Sequence, residues 1–174
     1  LISRTSWVNN ELEIEKALIK KLENLGLSVV PVFAYSVKDE ELGSRGMDEV
    51  IVDYFIENGR PIIDCLVKLS PFFIASSKTK KRDTSCAADG IEVLRKLDVP
   101  VFQPVISHYM TVEQWQESMG LSTEIGWSVA LPEFEGGIEP IIIGAGKKEG
   151  NYLGRFPIED RCSKLASRVF KWTE

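Results

Sequence analysis

Along the 174-residue chain the apolar positions switch repeatedly between helical and extended spacing. Ile14, Leu18, Leu22 and Leu25 recur on one helical stripe, with Asn10 and Glu13 reading as a cap and Gly26 as a left-handed stop. Residues 27–35 then form a nearly continuous apolar run, the signature of a strand covered on both faces. Met47, Val50, Ile51, Tyr54 and Phe55 return to helical spacing before Asn58-Gly59, and residues 62–69 return to an extended run. Ile91, Leu94 and Leu97 mark another helix, and residues 99–106 another strand, where Pro100 and Pro104 argue for a sheet edge. Leu1-Ile2 reads as the end of a first strand.

The remainder is less regular. Thr111 with Gln114 predicts a capping box for a short helix holding Trp115, and Ser122, Ile125 and Trp127 predict a second. Val129, Leu131 and Phe134 suit a strand, Pro132 bars a central ladder position, and Gly136-Gly137 supply the positive φ of a tight return. Glu133 is thereby expected at a strand end. Pro157 reads as the first residue of a closing helix with Ile158, Cys162, Leu165, Val169 and Trp172 on one stripe. Residues 37–46, 70–85 and 147–156 read as loose segments. The alternation predicts a single α/β domain over residues 1–174: a mostly parallel sheet with helices on both faces, Rossmann-like or flavodoxin-like, plus a terminal hairpin and helix.

Composition narrows the function. A chain of about 150 residues can bury roughly 70% of the surface it would expose when extended, so a proper core is within reach. No apolar run approaches the roughly 18 residues of a membrane span. Lys and Arg total 21 against 26 Asp and Glu, a net charge of -5 that repels nucleic-acid phosphates and acidic lipid. Cys65, Cys86 and Cys162 are odd in number and lack paired spacing; with no secretory leader they fit a reducing cytoplasm and small core positions rather than chemistry.

The wording Ser128-Val129-Ala130-Leu131-Pro132-Glu133-Phe134-Glu135-Gly136-Gly137-Ile138-Glu139-Pro140-Ile141 resembles the CobN and magnesium-chelatase large (H) subunit family of tetrapyrrole metal chelatases. Arg4-Thr5-Ser6-Trp7, Val30-Pro31-Val32-Phe33-Ala34-Tyr35-Ser36, Asp98-Val99-Pro100-Val101-Phe102-Gln103 and the closing Val169-Phe170-Lys171-Trp172 extend the likeness over nearly the whole chain. The resemblance implies an amino-terminal fragment of a much larger subunit, since the chain begins at Leu1 without an initiator methionine. It implies a cobaltochelatase of cobalamin biosynthesis or a magnesium chelatase, a ligase forming nitrogen–metal bonds, with cobalt or magnesium and a corrin or porphyrin as substrates. ATP is then used by AAA+ motor partners; the fragment by itself binds no cofactor and is inactive.

In open α/β sheets, ligands settle beyond the carboxyl ends of the strands. Four loops qualify: 3–10, 36–45, 70–85 and 107–110. In the first, Arg4 offers a cation for a carboxylate and Trp7 an aromatic face for a flat macrocycle; the plain alternative makes Trp7 a core anchor and Arg4 a solvated neighbour. His108, the one histidine, offers a ligand for an entering metal or is merely an exposed or satisfied side chain. Glu133 offers a base for the two N–H protons that metal insertion must remove, or bonds backbone amides at a strand end. The basic run Lys78-Thr79-Lys80-Lys81-Arg82 suits acidic arms of a ligand or is a solvated loop.

Gly144-Ala145-Gly146-Lys147 imitates a phosphate loop, but Ile141 stands where its first glycine belongs and Lys148 replaces the hydroxyl residue, which excludes an ATP site there. Neither a nucleophile elbow nor a dinucleotide glycine fingerprint is present, so hydrolase and hydride-transfer chemistry have no residues to use. The competing expectation is a non-enzymatic flavodoxin-like module that binds a small ligand or docks a subunit.

Overall fold

A computed structural model describes residues 1–77, 84–120, 124–149 and 152–174. The strand β1 (Ile2–Ser3) runs into a short helix α1 (Arg4–Val8), followed by α2 (Glu13–Asn24), β2 (Phe33–Ala34) and α3 (Met47–Phe55). A small hairpin of β3 (Ile56–Glu57) and β4 (Arg60–Pro61) turns through Asn58 and Gly59, both at positive φ, and leads to β5 (Leu66–Val67) and α4 (Thr84–Leu97). Then come β6 (Val101–Phe102), β7 (Val105–Thr111), α5 (Val112–Glu117), a π-helical turn Gly126–Ala130, α6 (Leu131–Phe134), β8 (Ile142–Glu149), β9 (Tyr152–Pro157) and α7 (Glu159–Thr173).

The chain is mixed α/β, with its strands in small sheets. β1 pairs with β2, β5 with β6 and β7 with β8, all parallel; β9 adds to β8 antiparallel. Paired backbone hydrogen bonds tie neighbouring pairs together: Leu1 N donates to Val67 O at 2.6 Å and Leu69 N to Leu1 O at 3.0 Å, while Gln103 N donates to Ile138 O at 2.8 Å and Ile138 N to Val101 O at 2.9 Å. β6 therefore has neighbours on both sides and is not the edge that its flanking prolines suggest. Pro100 is tolerated there because it contributes its carbonyl, which accepts from Leu66 N at 2.9 Å.

Alternate strand residues feed different cores. Leu66 and Val101 join Leu1, Ala34, Val50, Ile51 and Leu97 against α3 and α4. Phe102 and Ile106 join Ile14, Leu18, Leu22, Leu165 and Val169 against α2 and α7. Period-2 alternation on the strands and 3.6-residue stripes on the helices thus meet in two separate apolar layers.

Several local expectations hold. Gly26, at φ 88, ends α2 with Leu27 N donating back to Leu22 O and Gly26 N to Glu23 O, the paired bonds of a Schellman motif. The Thr111 hydroxyl accepts from Gln114 N at 3.2 Å while Gln114 Oε1 accepts from Thr111 N at 2.9 Å, completing the capping box.

Others are corrected. α2 starts at Glu13 after Leu12, with Asn10 left in a positive-φ turn, so Asn10 is not its cap. α7 begins at Glu159, and Pro157 instead ends β9 opposite Gly144. Residues 147–149 and 152–156 are hairpin, not loose chain.

The largest correction concerns residues 129–134, read as a strand and found as the end of a π-turn and a helix, whereas the helix expected around Ile125 and Trp127 is met by that π-turn. Gly137 N donates to Pro132 O at 2.8 Å and Gly136 N to Glu133 O at 3.0 Å, so the two glycines close a helix rather than a hairpin. Positive φ at Gly136 serves either purpose, which is why the sequence signal was ambiguous. The hairpin near the carboxyl terminus is β8–β9, one segment later. The basic run 78–82 and Ser122 lie outside the described residues.

Leu165 is fully buried between α2 and the strands. Leu165→Ala is expected to lower the unfolding free energy by about 2–5 kcal/mol in urea titrations. Gly144→Ala should also destabilise, since the added Cβ falls 2.3 Å from Ile14 Cδ1 and 3.1 Å from Phe156 O.

Candidate functional site

The register of β5 on β6 sets up the most polar point of the interior. Leu66 pairs with Val101 and Val67 with Phe102, so the next pair along both strands is Lys68 and Gln103. Both side chains are buried, Lys68 at 1% exposure. Lys68 Nζ donates to Gln103 Oε1 at 2.6 Å and to Ser70 O at 2.8 Å, and Gln103 Nε2 donates to the same Ser70 carbonyl at 3.1 Å.

The counter-charge arrives from the turn after α6. Glu135, 5% exposed, accepts from Ile74 N through both carboxylate oxygens, at 2.9 and 3.0 Å. It fits because Gly90 has no side chain: a Cβ there would lie 1.9 Å from Glu135 Oε1. Gly137 is less tightly constrained, its would-be Cβ 3.0 Å from both Gln103 Cβ and Pro132 O.

Burial dominates the ionisation of this pair. Desolvation lifts the Glu135 carboxyl to about 7, opposed by the positive charge of Lys68 and the Ile74 amide. Desolvation likewise lowers the Lys68 ammonium to about 8, opposed by Glu135. Two groups that normally ionise far apart are thus brought close to neutrality from opposite sides.

A second polar cluster forms where α1, α2, β7 and β9 meet. Arg155 NH1 donates to Ser6 Oγ at 2.7 Å, and its other terminal nitrogen is 3.7 Å from Glu15 Oε1. Burial raises the Glu15 carboxyl, with Arg155 and Ser6 opposing, and Glu15 Oε2 and Arg155 Nε are buried without a hydrogen-bond partner. Glu124, 1% exposed, accepts from the Ser107 hydroxyl and from His108 N at 3.1 Å, which fixes the bend in β7.

The residues singled out by sequence fall in different settings. Arg4 and Trp7 come together: Trp7 stacks on Phe33 with centroids 5.4 Å apart, and the Arg4 guanidinium lies 5.6 Å from the Phe33 ring and 5.4 Å from Tyr35. Trp7 is 54% exposed, so it is not a core anchor. His108 is exposed beside the Arg155 cluster. Partial desolvation of its ring, with Arg155 nearby, lowers its pKa below the ordinary imidazole value, so it is neutral at pH 7.

Glu133 is exposed on α6 and not at a strand end. It shares no hydrogen bond or ion pair with Arg4, Trp7 or His108 among the described residues. The buried carboxylate of this segment is Glu135, two positions on. Cys162 is buried, its thiol pushed up to about 11 chiefly by desolvation, and Sγ donates to Ile143 O at 3.4 Å.

Sequence reasoning missed Lys68, Gln103, Glu135, Glu15 and Glu124. Lys68 carried a faint signal, a lone cation in an apolar extended run with Leu66 two residues before it. Alternation puts those two side chains on one face. Among the described residues no group of three His, Cys, Asp or Glu is placed to hold a metal ion, and no helix is long and apolar enough to cross a membrane.

The chain is a mixed α/β protein with buried polar side chains gathered around its strand ends. The chain belongs to the CobN/Magnesium Chelatase family, whose description matches residues 1–174. It is 41% identical to protein MJ1441 of Methanocaldococcus jannaschii over 175 residues, covering 100% of this chain and 14% of that protein. Identity to the chloroplastic magnesium-chelatase subunit ChlH of Oryza sativa is 29% over 167 residues, or 91% of this chain and 11% of ChlH. Identity to the aerobic cobaltochelatase subunit CobN of Sinorhizobium sp is 29% over 166 residues, 90% of this chain and 12% of CobN. The catalytic subunit of cobaltochelatase from Mycobacterium tuberculosis shares the fold at a TM-score of 0.67 and 20% identity, across 95% of this chain and 13% of that one. The chain thus spans only a small part, 11–14%, of these curated relatives.

Removing Gln103 leaves Lys68 short of one acceptor and Ser70 O of one donor. Gln103→Ala is expected to cost about 2–3 kcal/mol of stability, read from urea midpoints. Because the folded pKa of Glu135 lies above its ordinary 4.5, its contribution is complete below pH 4.5 and is lost as pH rises toward about 7. In Glu135→Gln that loss is absent. The stability of the wild type relative to this variant should therefore decline from pH 4.5 to 7; a difference independent of pH would contradict the assignment.

Proposed function

We propose that these residues form part of a large subunit that binds a tetrapyrrole and inserts cobalt or magnesium into it, while separate AAA+ partners hydrolyse ATP. The match of all 174 residues to the CobN/Magnesium Chelatase family carries this reading. The named magnesium-chelatase and cobaltochelatase relatives support both metals equally. Since the chain spans 14% or less of those relatives, the reaction is assigned to the longer subunit, in the cytoplasm, and not to these residues alone.

We read the strands as one doubly wound, flavodoxin-like sheet. The succession β2, β1, β5, β6, the 138–142 segment and then β9 supports that order, through the β1·β2 and β5·β6 pairs, the Leu1–Leu69 and Phe102–Ile138 links and the β8–β9 ladder. In such a sheet the loops after the strands face the ligand; Arg4 directly follows β1 and Lys68 directly follows β5, while His108 lies within β7 beyond its bend.

Inserting a divalent metal requires the ion to shed water and the ring to lose two N–H protons. A neutral imidazole both accepts a proton and ligates a metal in transit, and the lowered pKa of His108 keeps it in that form. Glu133, exposed and ionisable, is a second acceptor. A non-enzymatic flavodoxin-like module that binds a small ligand or docks a subunit is not favoured by a family match that covers the entire chain.

Titrating the full-length subunit with a porphyrin and with hydrogenobyrinic acid diamide, following tryptophan quenching, tests the reading; binding of neither overturns it. In an insertion assay with the motor partners, His108→Ala should slow turnover by about 100-fold, and Glu133→Gln should slow it less, at unchanged ring affinity.

A further inference from the structure

At the β2 edge an arginine is layered on aromatic rings with no acid paired to it among the described residues. Arg4 Nε donates to the Tyr35 hydroxyl at 2.9 Å while the guanidinium lies over Phe33 and Tyr35. Its two terminal nitrogens make no ion pair among the described residues. Neighbouring arginines differ: Arg45 is bonded to Asp53 at 2.6 Å and Arg155 lies beside Glu15.

The rings continue the surface. Trp7 stacks on the Phe33 ring at an interplanar angle of 18°, and Trp7, Phe33 and Tyr35 are all exposed. A hollow of about 350 Å³ opens beside them, lined by Arg4, Phe33, Tyr35, Arg45 and Tyr54. The Ser36 hydroxyl donates to Ser3 Oγ at 3.3 Å, which holds the ends of β1 and β2 together beneath it. Exposed stacked rings present a flat face for a conjugated ligand, and an oriented, unneutralised guanidinium presents a two-pronged donor for a carboxylate.

We propose that Arg4, Trp7, Phe33 and Tyr35 form a binding shelf for a flat conjugated ring that carries a carboxylate, with Arg4 taking the carboxylate and Trp7 the ring face. The occupant is a small molecule and not an acidic protein segment, because the cation is held within the aromatic array rather than set in a broad basic field. That the ring is the tetrapyrrole rests on the proposed function; the shelf itself rests on the geometry.

The test uses the full-length subunit and two fluorescent probes, 1-pyrenecarboxylate and its uncharged carboxamide, read by anisotropy. The carboxylate is expected to bind on the order of tenfold tighter than the carboxamide. Arg4→Ala removes that preference, and Trp7→Ala weakens both probes by on the order of tenfold. Tyr35→Phe, which keeps the ring and removes only the hydroxyl that orients Arg4, should lower the preference severalfold and guards against an unfolded Arg4 variant.

Equal binding of the two probes, or binding indifferent to Arg4→Ala and Trp7→Ala, overturns the shelf. So does an acidic peptide that binds in an Arg4-dependent way when neither probe does. A subunit that binds a porphyrin with unchanged affinity in both variants and binds the two probes equally loses the shelf and keeps the chelatase reading. One that binds no tetrapyrrole but shows the Arg4-dependent preference loses the chelatase reading and keeps the shelf.

Discussion

A lysine ammonium closed off from water at the end of a central strand is the constraint around which the surrounding structure is organised. Taking such a charge out of solvent costs several kcal/mol unless fixed dipoles replace its hydration. Lys68 receives them from Gln103 and the Ser70 carbonyl, with the Glu135 charge favouring the ammonium. Each of these partners constrains another element. Gln103 requires Gly137 to come close, Glu135 requires Gly90, and the Ile74 amide held by Glu135 fixes the 70–77 segment. Two strands, a helix cap, a second helix and a loop are thus positioned by one buried charge.

The same logic operates in the neighbouring cluster with a different balance. Arg155 reaches across from the β8–β9 hairpin to Ser6 and Glu15, joining residues 149 positions apart in sequence. Glu124 gathers the Ser107 hydroxyl and the His108 amide at the bend of β7. Buried polar groups in this protein collect where parallel strands end and ladder bonding gives out, because free backbone groups there need side-chain partners. Apolar contacts do the rest: the two cores flanking the strands are built from aliphatic stripes with few polar interruptions. Buried polar contacts at the strand ends thus sit beside an exposed aromatic surface at the β2 edge.

Local signals and long-range ones differed in how much they disclosed. The helices at 13–24, 47–55, 84–97 and 159–173 were legible because 3.6-residue apolar stripes and terminal glycines are local features. The Thr111–Gln114 capping box was legible for the same reason. The 129–134 segment was misread because β-branched and aromatic residues with proline and two glycines satisfy a strand-and-turn pattern as well as a helix with a Schellman closure. Prolines around β6 were misjudged because an X-Pro position is compatible with an interior strand when only its carbonyl is needed. Arg4 and Trp7 stand out in the sequence because their residue types advertise their chemistry, and the structure gathers both around Phe33. Glu135 was overlooked beside Glu133, since nothing local separates a buried glutamate from an exposed one two residues away.

By itself the sequence determined the alternation of helices and strands, the apolar stripes that fill both cores and the family to which the chain belongs, because each is written in short-range spacing or in ordered motifs. Only the tertiary structure decided which charges are buried. Lys68, Gln103 and Glu135 are separated by 35 and 32 positions and meet because strand register and a helix cap bring them together, and ionisation depends on that meeting. Pairing of Arg4 with Phe33 and Tyr35 was settled in the same way, by the parallel register of β1 on β2, which no spacing along the chain encodes.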